Sequence, residues 1–199
     1  MNLQIFNDPW EYGIVDNFLS PERFKEIEDQ AQIEYEKYKV EGSNTFRAGK
    51  YIRYEKDDII PEITKNIINF QDHREYNKLV KLIHWVVMPP NEIYPCHIDN
   101  ASRIHTSILY ISPKDNNGTI LCENPSTNDN GDHNQPDKST TKEVEVEWKT
   151  NRLFSHNPGP KKWHRYTSNH NHRINLSIFF ADPDKIRPHR QDHNYLIDI

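Results

Sequence analysis

The sequence is poor in cysteine and glycine, and it contains no long apolar run. Two cysteines among 199 residues are too few for a disulfide scaffold, which favours a reducing compartment. Six glycines, with no P-loop or GxGxxG pattern, argue against a nucleotide cofactor. No run approaches the roughly 18 apolar residues of a membrane span, and the first ten residues lack the basic start and apolar core of a signal peptide. We therefore expect a cytoplasmic protein that does not enter a membrane.

A surplus of positive charge is missing as well. The 25 Lys and Arg residues are outnumbered by 30 Asp and Glu residues, which leaves a net charge of -5 at pH 7. Proteins that bind nucleic acids by neutralising phosphates carry the opposite balance, so we expect no nucleic-acid partner. The abundance of Asn, Ile and Lys is typical of an AT-rich genome, such as that of a phage, whose protein would act in the host cytoplasm.

The order of the expected elements predicts an α+β fold in one domain spanning residues 1–199. Residues 1–80 form the helical support, with a short strand at 13–19, one helix that begins at Ser20-Pro21-Glu22 and a second near Pro61. Residues 183–199 form a charged tail. Between them, 81–182 is the jelly-roll core, with about eight short strands at 81–88, 94–99, 105–112, 119–123, 143–148, 151–156, 163–168 and 173–180. This order is typical of a double-stranded β-helix (jelly roll) with N-terminal helices packed on one sheet.

Eleven histidines are the most unusual feature of the composition. His97 and Asp99 form an H-x-D pair in a strand-like segment, where residues i and i+2 project from the same face. Such a pair is expected about once by chance in this chain, so it needs support elsewhere. His164 gives that support, because it precedes a strand that carries Arg173 and Asn175 on one face and apolar residues on the other. Two histidines and one aspartate on neighbouring strands are typical of the facial triad of non-haem Fe(II) oxygenases.

The order and spacing of these residues resemble the 2-oxoglutarate and Fe(II)-dependent dioxygenases, in particular their prolyl-4-hydroxylase branch. The matching stretch runs from about residue 94 to 182 and contains H-x-D, a distal histidine and an arginine nine residues after it. It also contains ILYI at 108–111, GTIL at 118–121 and RLF at 152–154, whose arginine lies twelve residues before His164. The opening FLSPE at 18–22 is common in this group as well.

The resemblance implies an enzyme that uses O2 to hydroxylate an unactivated C–H bond, with release of succinate and CO2 from 2-oxoglutarate. It implies that His97, Asp99 and His164 are the catalytic iron ligands. Arg173 would clamp the distal carboxylate of 2-oxoglutarate through two parallel hydrogen bonds, and Tyr110 would donate a third. Asn175 shares the face of Arg173 and is a further candidate for cosubstrate contact. Fe(II) is the expected cofactor and 2-oxoglutarate the cosubstrate, and a role for ascorbate stays open.

Three alternatives compete with this interpretation. The first is a non-catalytic, metal-stabilised jelly-roll binding module, which Arg173 opposes because a structural site needs no cosubstrate clamp. The second is a cupin-like hydrolase or isomerase, in which a histidine would be more typical where Asp99 stands. The third concerns the ligand set, because His156 also has an arginine nine residues on, Arg165. That arginine leads into a polar run rather than an apolar strand, so the sequence predicts that His156→Ala changes little.

The resemblance leaves the substrate open between a peptide and a small molecule. The segment VMPP at 87–90 lacks the tyrosine that prolyl hydroxylases of this branch carry there, which speaks against peptidyl-proline. Free amino acids, other peptides and small metabolites stay open, as does the oligomeric state. The polar stretch 123–141 has no aliphatic or aromatic side chain between 124 and 141, so we expect either a mobile rim over the substrate entrance or a solvated insertion.

Overall fold

The structure is a computed structural model that describes residues 2–40, 50–53, 59, 79–123 and 142–185. Within these ranges the elements follow the chain as β1 (Leu3–Phe6), β2 (Tyr12–Val15), α1 (Pro21–Val40), β3 (Lys50–Arg53), β4 (Val80–Met88), β5 (Ile93–His97), β6 (Arg103–Ser112), β7 (Thr119–Cys122), β8 (Glu143–Val146), β9 (Leu153–His156), β10 (Trp163–Thr167), β11 (Arg173–Ala181) and a 3-10 turn at Pro183–Lys185. Among the described residues, no helix is long and apolar enough to cross a membrane.

The strands form two antiparallel sheets. The larger has seven strands in the order β1-β2-β9-β6-β11-β4-β3, and the smaller has four in the order β5-β10-β7-β8. Strands that are distant in sequence are neighbours in space, because β4 pairs with β11 and β5 pairs with β10. One buried cluster takes side chains from β2, β6 and β9 of the larger sheet and from β7 and β8 of the smaller one, so the sheets face each other. This is the jelly roll that the sequence predicts.

Most of the predicted elements are present in the described residues. All eight strands expected between 81 and 182 occur, with ends that move by no more than about two residues, a normal uncertainty for element boundaries. The strand expected at 13–19 is the shorter β2. The sequence did not predict β1 and β3, and the side chains of β1 are mostly exposed, so that strand lacks the apolar alternation that marks a buried one. The helix expected near Pro61 and the stretch 124–141 lie outside the described residues.

The first helix begins where its cap predicts. The backbone amide of Arg23 donates to Oγ of Ser20 at 3.2 Å, which satisfies one of the unpaired N–H groups of the first turn. Ile27 and Ala31 are buried on the outer face of the larger sheet. The apolar spacing read from the sequence therefore docks α1 on that sheet, with Phe24 and Tyr35 packed at the edge of the same cluster.

The alternation of β11 separates the outer core from the interior between the sheets. The outward-facing side chains join the cluster beneath α1, and they are Ile174, Leu176, Ile178 and Phe180. Arg173 and Asn175 point the other way and are also buried. A strand with period-two alternation thus brings a charged and a polar side chain into the interior, where each needs a partner.

Gly118 allows β8 to approach β7 closely. A Cβ at this position would lie 1.9 Å from the carbonyl oxygen of Val146, so no other residue fits without moving the backbone. The Gly118 amide also donates to Oε1 of Glu145 at 2.9 Å. The glycine therefore fixes the start of β7, which carries Thr119 into the interior.

Asn151 ties the entry of α1 to the centre of the larger sheet. Its φ of 60° lies in the left-handed region, which asparagine tolerates better than most residues. Its side chain accepts from the amide of Leu19 and donates to the carbonyl of Leu19, both at 2.9 Å. Its backbone amide donates to the carbonyl of Tyr110, also at 2.9 Å. One residue therefore anchors the helical support and the strand that carries Tyr110.

We expect Asn151→Ala to lower the free energy of unfolding by about 2–4 kcal/mol, because it leaves two buried backbone groups of Leu19 unpaired and puts a Cβ-bearing residue without a local hydrogen bond at positive φ. Asn151→Gly loses the same hydrogen bonds but relieves the backbone, so it should recover about 1 kcal/mol. Urea denaturation followed by circular dichroism measures both. Equal stability of the wild type and the Ala variant would contradict this role.

Candidate metal centre

His97, Asp99 and His164 come together in the interior beside the smaller sheet. His97 ends β5, and it is the direct cross-strand partner of His164 on β10. One ligand atom from each of the three residues lies within 4.8 Å of the other two. Two imidazole nitrogens and one carboxylate oxygen at this spacing are suited to one divalent transition-metal ion. The structure therefore brings the three predicted ligands to one place.

Asp99 does not lie on the strand, contrary to the expectation from the sequence. β5 ends at His97, so strand alternation does not set the direction of the Asp99 side chain. Two donors from β6 of the larger sheet set it instead. Arg103 Nη1 donates to Oδ1 at 2.5 Å, and Thr106 Oγ1 donates to Oδ2 at 2.7 Å. The candidate centre is thus built by both sheets together.

Both histidines are held in the tautomer that a metal requires. Nδ1 of His97 donates to the carbonyl of Pro95 at 3.0 Å, and Nδ1 of His164 donates to the carbonyl of Lys162 at 3.2 Å. A carbonyl oxygen only accepts, so Nδ1 carries a proton in both rings, and Nε2 is the nitrogen that can bind a metal. Burial and the neighbouring His164 lower the pKa of His97 to about 3, so this ring is neutral at pH 7.

Asp99 is ionised although its side chain is only 2% exposed. Burial alone would raise the pKa of Asp99, but the charge of Arg103 and the surrounding histidines outweigh it and hold that pKa well below its usual range. The site therefore presents one carboxylate and two imidazole nitrogens. This donor set fits Fe(II), for which two histidines and one carboxylate form a facial triad.

A buried cation forms the second part of the site. Arg173 is 1% exposed, and its Nη1 donates to Oδ1 of Asn175 at 2.9 Å. Its Nε and Nη2 have no hydrogen-bond partner in the part of the chain that the structure describes. Burial lowers the pKa of Arg173 from its usual value, which shows how poorly this environment solvates the charge. A buried guanidinium with two unused donors fits a bidentate carboxylate.

Aromatic rings enclose the guanidinium of Arg173. The distances from its Cζ to the ring centres are 5.5 Å for Tyr110, 5.0 Å for Trp148 and 4.7 Å for Tyr166. Tyr110 and Trp148 stack on each other at 4.6 Å. These rings exclude water and attract the cation through their faces, but they provide no counter-charge. The pocket therefore suits a small anion with an apolar stem.

Tyr110 and Asn175, the two other predicted contacts, also lie in this pocket. The hydroxyl of Tyr110 donates to Oγ1 of Thr119 at 2.7 Å, so a ligand carboxylate would have to compete for that hydrogen. Thr119 has a hydroxyl of its own, and it can donate back to Tyr110 when the tyrosine turns its hydrogen to a ligand. Asn175 accepts from Arg173 and donates to Oγ of Ser177 at 3.0 Å. Its role is therefore to hold the guanidinium in place.

Tyr166 links the cation pocket to the metal ligands, and the sequence analysis missed it. It lies two residues after His164 on β10, so both project into the interior. Its ring stacks on Tyr94 at 4.7 Å and lies 6.4 Å from the ring of His97. The i, i+2 relation to His164 was a usable signal. Arg103 and Thr106 had no comparable signal, because no motif points to them.

Arg152, which belongs to the motifs of the resemblance, pairs with Asp16. Its Nε donates to Oδ1 of Asp16 at 2.6 Å, and its Nη2 donates to Oδ2 at 3.1 Å. This paired hydrogen bonding lowers the pKa of Asp16 to about 2. Arg152 therefore holds the end of β2 against the start of β9, where it supports the backbone that precedes His156.

Comparison with known proteins relates this geometry to solved structures. Neither protein-family models nor curated protein sequences match the chain. A prolyl hydroxylase from Trichoplax adhaerens, in complex with a peptide of the hypoxia-inducible factor oxygen degradation domain, is 18% identical, with a TM-score of 0.61 over 87% of this chain and 84% of its own. A viral collagen prolyl hydroxylase from Paramecium bursaria Chlorella virus-1, in complex with 2OG, is 12% identical, with a TM-score of 0.57 over 88% of this chain and 97% of its own.

A third similar structure has another activity. SnoN, a non-haem, α-ketoglutarate-dependent epimerase from nogalamycin biosynthesis, is 13% identical, with a TM-score of 0.59 over 86% of this chain and 76% of its own. At these identities the likeness concerns the fold. The chain has the double-stranded β-helix of the 2-oxoglutarate and Fe(II)-dependent oxygenases. Prolyl hydroxylases are among the structures that share this fold, as the sequence predicts.

We expect the wild-type protein to bind one Mn(II), a redox-stable substitute for Fe(II). His97→Ala or Asp99→Ala should bind Mn(II) at least about 100-fold more weakly, because the loss of a direct ligand weakens binding more than the loss of a residue that only contacts a ligand. Calorimetric titration of metal-free protein measures the affinity. His170→Ala is the matched control, since that histidine is exposed. Wild-type affinity in either ligand variant would place the metal elsewhere.

Proposed function

We propose that this protein is a non-haem iron dioxygenase that consumes 2-oxoglutarate and O2 to hydroxylate an unactivated C–H bond, with release of succinate and CO2. The observation that carries the proposal is Arg173. Its buried guanidinium has two unused donors in the described structure, and Tyr166 connects its pocket to the His97 side of the metal centre. A metal-stabilised binding module would need the triad but not this cation.

Separate groups of residues would bind the metal, bind the cosubstrate and exclude water. His97, Asp99 and His164 would hold Fe(II), which supplies the coupling between O2 activation and oxidative decarboxylation of the cosubstrate. The two neutral imidazoles and the Asp99 carboxylate leave a net charge of +1 on the occupied site, which favours an anionic cosubstrate. Arg173 fixes the distal carboxylate, so the keto end of the cosubstrate points toward the triad. The rings of Trp148 and Tyr166 keep water away from this path.

The substrate we propose is a peptide or a small molecule. A prolyl hydroxylase in complex with a peptide and an epimerase from nogalamycin biosynthesis have similar folds, so the fold is compatible with both kinds of substrate. We place the reaction in a reducing cytoplasm. The cysteine content supports this location, since two cysteines among 199 residues are too few for a disulfide scaffold.

The direct test is calorimetric titration of the Mn(II)-loaded protein with 2-oxoglutarate under anaerobic conditions. The proposal requires stoichiometric binding, and binding that disappears when the metal is removed. Release of succinate from 2-oxoglutarate by the Fe(II)-loaded protein in air would then establish the reaction class. Metal binding without 2-oxoglutarate binding would favour the binding module instead.

Arg173→Lys should raise the 2-oxoglutarate concentration needed for half-saturation at least about tenfold, equivalent to roughly 1.4 kcal/mol. Lysine keeps the charge but loses the planar pair of donors. Iron content should stay unchanged, because the triad is intact. Arg165→Lys is the control, since Arg165 pairs with Glu143 at 2.9 Å near the surface. An unaltered requirement in Arg173→Lys would mean that another group holds the carboxylate.

A further inference from the structure

A third histidine lies against the candidate ligands. His156 ends β9, where it shares the inward face with Phe154, and it is fully buried. Its Nε2 lies 3.5 Å from Oδ2 of Asp99. Its ring centre is 5.1 Å from that of His164. The sequence expectation that replacing His156 changes little does not fit a residue in this position.

The environment of His156 does not explain why an imidazole is there. Neither ring nitrogen has a hydrogen-bond partner among the described residues. The ring packs against Trp10 at 5.1 Å and Phe154 at 5.4 Å, so its neighbours are largely apolar rings. A buried polar group without a partner destabilises a protein, and a phenylalanine would fill the same space without that penalty. An acceptor does lie close by, because Oδ2 of the Asp99 carboxylate is 3.5 Å from Nε2.

We propose that His156 is a positioning residue for Asp99: its Nε2–H, which is unpaired among the described residues of the metal-free protein and lies 3.5 Å from Oδ2, donates to that oxygen when a metal ion is bound and so orients the carboxylate. This role rests on the proposed metal site. Thr106 donates to the same oxygen and Arg103 to the other, so His156 adds a third donor, from β9.

The geometry favours positioning over direct ligation. The three side chains that share one compact set of ligand atoms are His97, Asp99 and His164. His156 instead approaches the Asp99 oxygen that Thr106 already contacts. Outer contacts of this kind fix the orientation of a ligand and typically contribute about 10–100-fold to metal affinity.

The test compares Mn(II) affinity and stability in two variants of His156. His156→Phe keeps the ring packing and removes the donor, so the dissociation constant for Mn(II) should rise about 10–100-fold. The metal-free variant should melt at or above the temperature of the metal-free wild type, since an unpaired buried polar group is gone. His156→Gln retains an N–H donor, and it should restore most of the affinity. If His156 were purely structural, His156→Phe would not lose Mn(II) affinity while keeping its melting temperature, and His156→Gln would not recover that affinity.

His105→Phe is the matched control. His105 is another buried histidine of the larger sheet, on the outer face beside Phe180, and its nitrogens bond Asn157 at 3.0 Å and Ser107 at 2.9 Å. Its replacement should lower stability and leave the affinity for Mn(II) unchanged. Wild-type affinity in His156→Phe, or a loss that Gln does not rescue, overturns the positioning role. Failure of the wild type itself to bind Mn(II) overturns the metal site and this role together.

Discussion

The contact between Asp99 and β6 is the interaction on which the site depends. Asp99 follows β5 of the smaller sheet, but Arg103 and Thr106 of the larger sheet hold its two oxygens. The guanidinium of Arg103 in turn lies 3.6 Å over the ring of Phe179 on β11. A buried carboxylate requires such partners, because its charge is otherwise unsolvated. The charge of one residue therefore fixes how the two sheets meet at the site.

Two buried charges among the described residues, Asp99 and Arg173, have different surroundings. Asp99 has a guanidinium and a hydroxyl as donors, whereas Arg173 has one amide oxygen and three aromatic rings. If both charges served only the fold, equal neutralisation would be expected, since an unpaired buried charge is destabilising. The asymmetry suits a centre in which the anion binds a cation from solution and the cation binds an anion from solution.

The sequence predicts what depends on local spacing and fails where the contact is long-range. The cap at Ser20 and the alternation of β11 were readable, because each depends on neighbours within a few residues. The ligand set was predicted from its order along the chain. The direction of Asp99 was not, because donors on another sheet set it once β5 has ended. The contact of His156 with Asp99 was not predicted for the same reason, because it exists only after β9 has paired with β6.

The same long-range dependence connects binding to stability. The triad forms only when β5, β10 and β6 are docked, so a metal ion that binds the three ligands binds the folded state and stabilises it by mass action. The imidazole of His156 and the guanidinium of Arg173 have donors without a partner among the described residues. Each of these unpaired donors lowers the stability of the ligand-free fold. Polar groups of this kind are poor packing elements but good binding elements. Their burial beside aromatic rings indicates where the fold gives up stability in favour of binding.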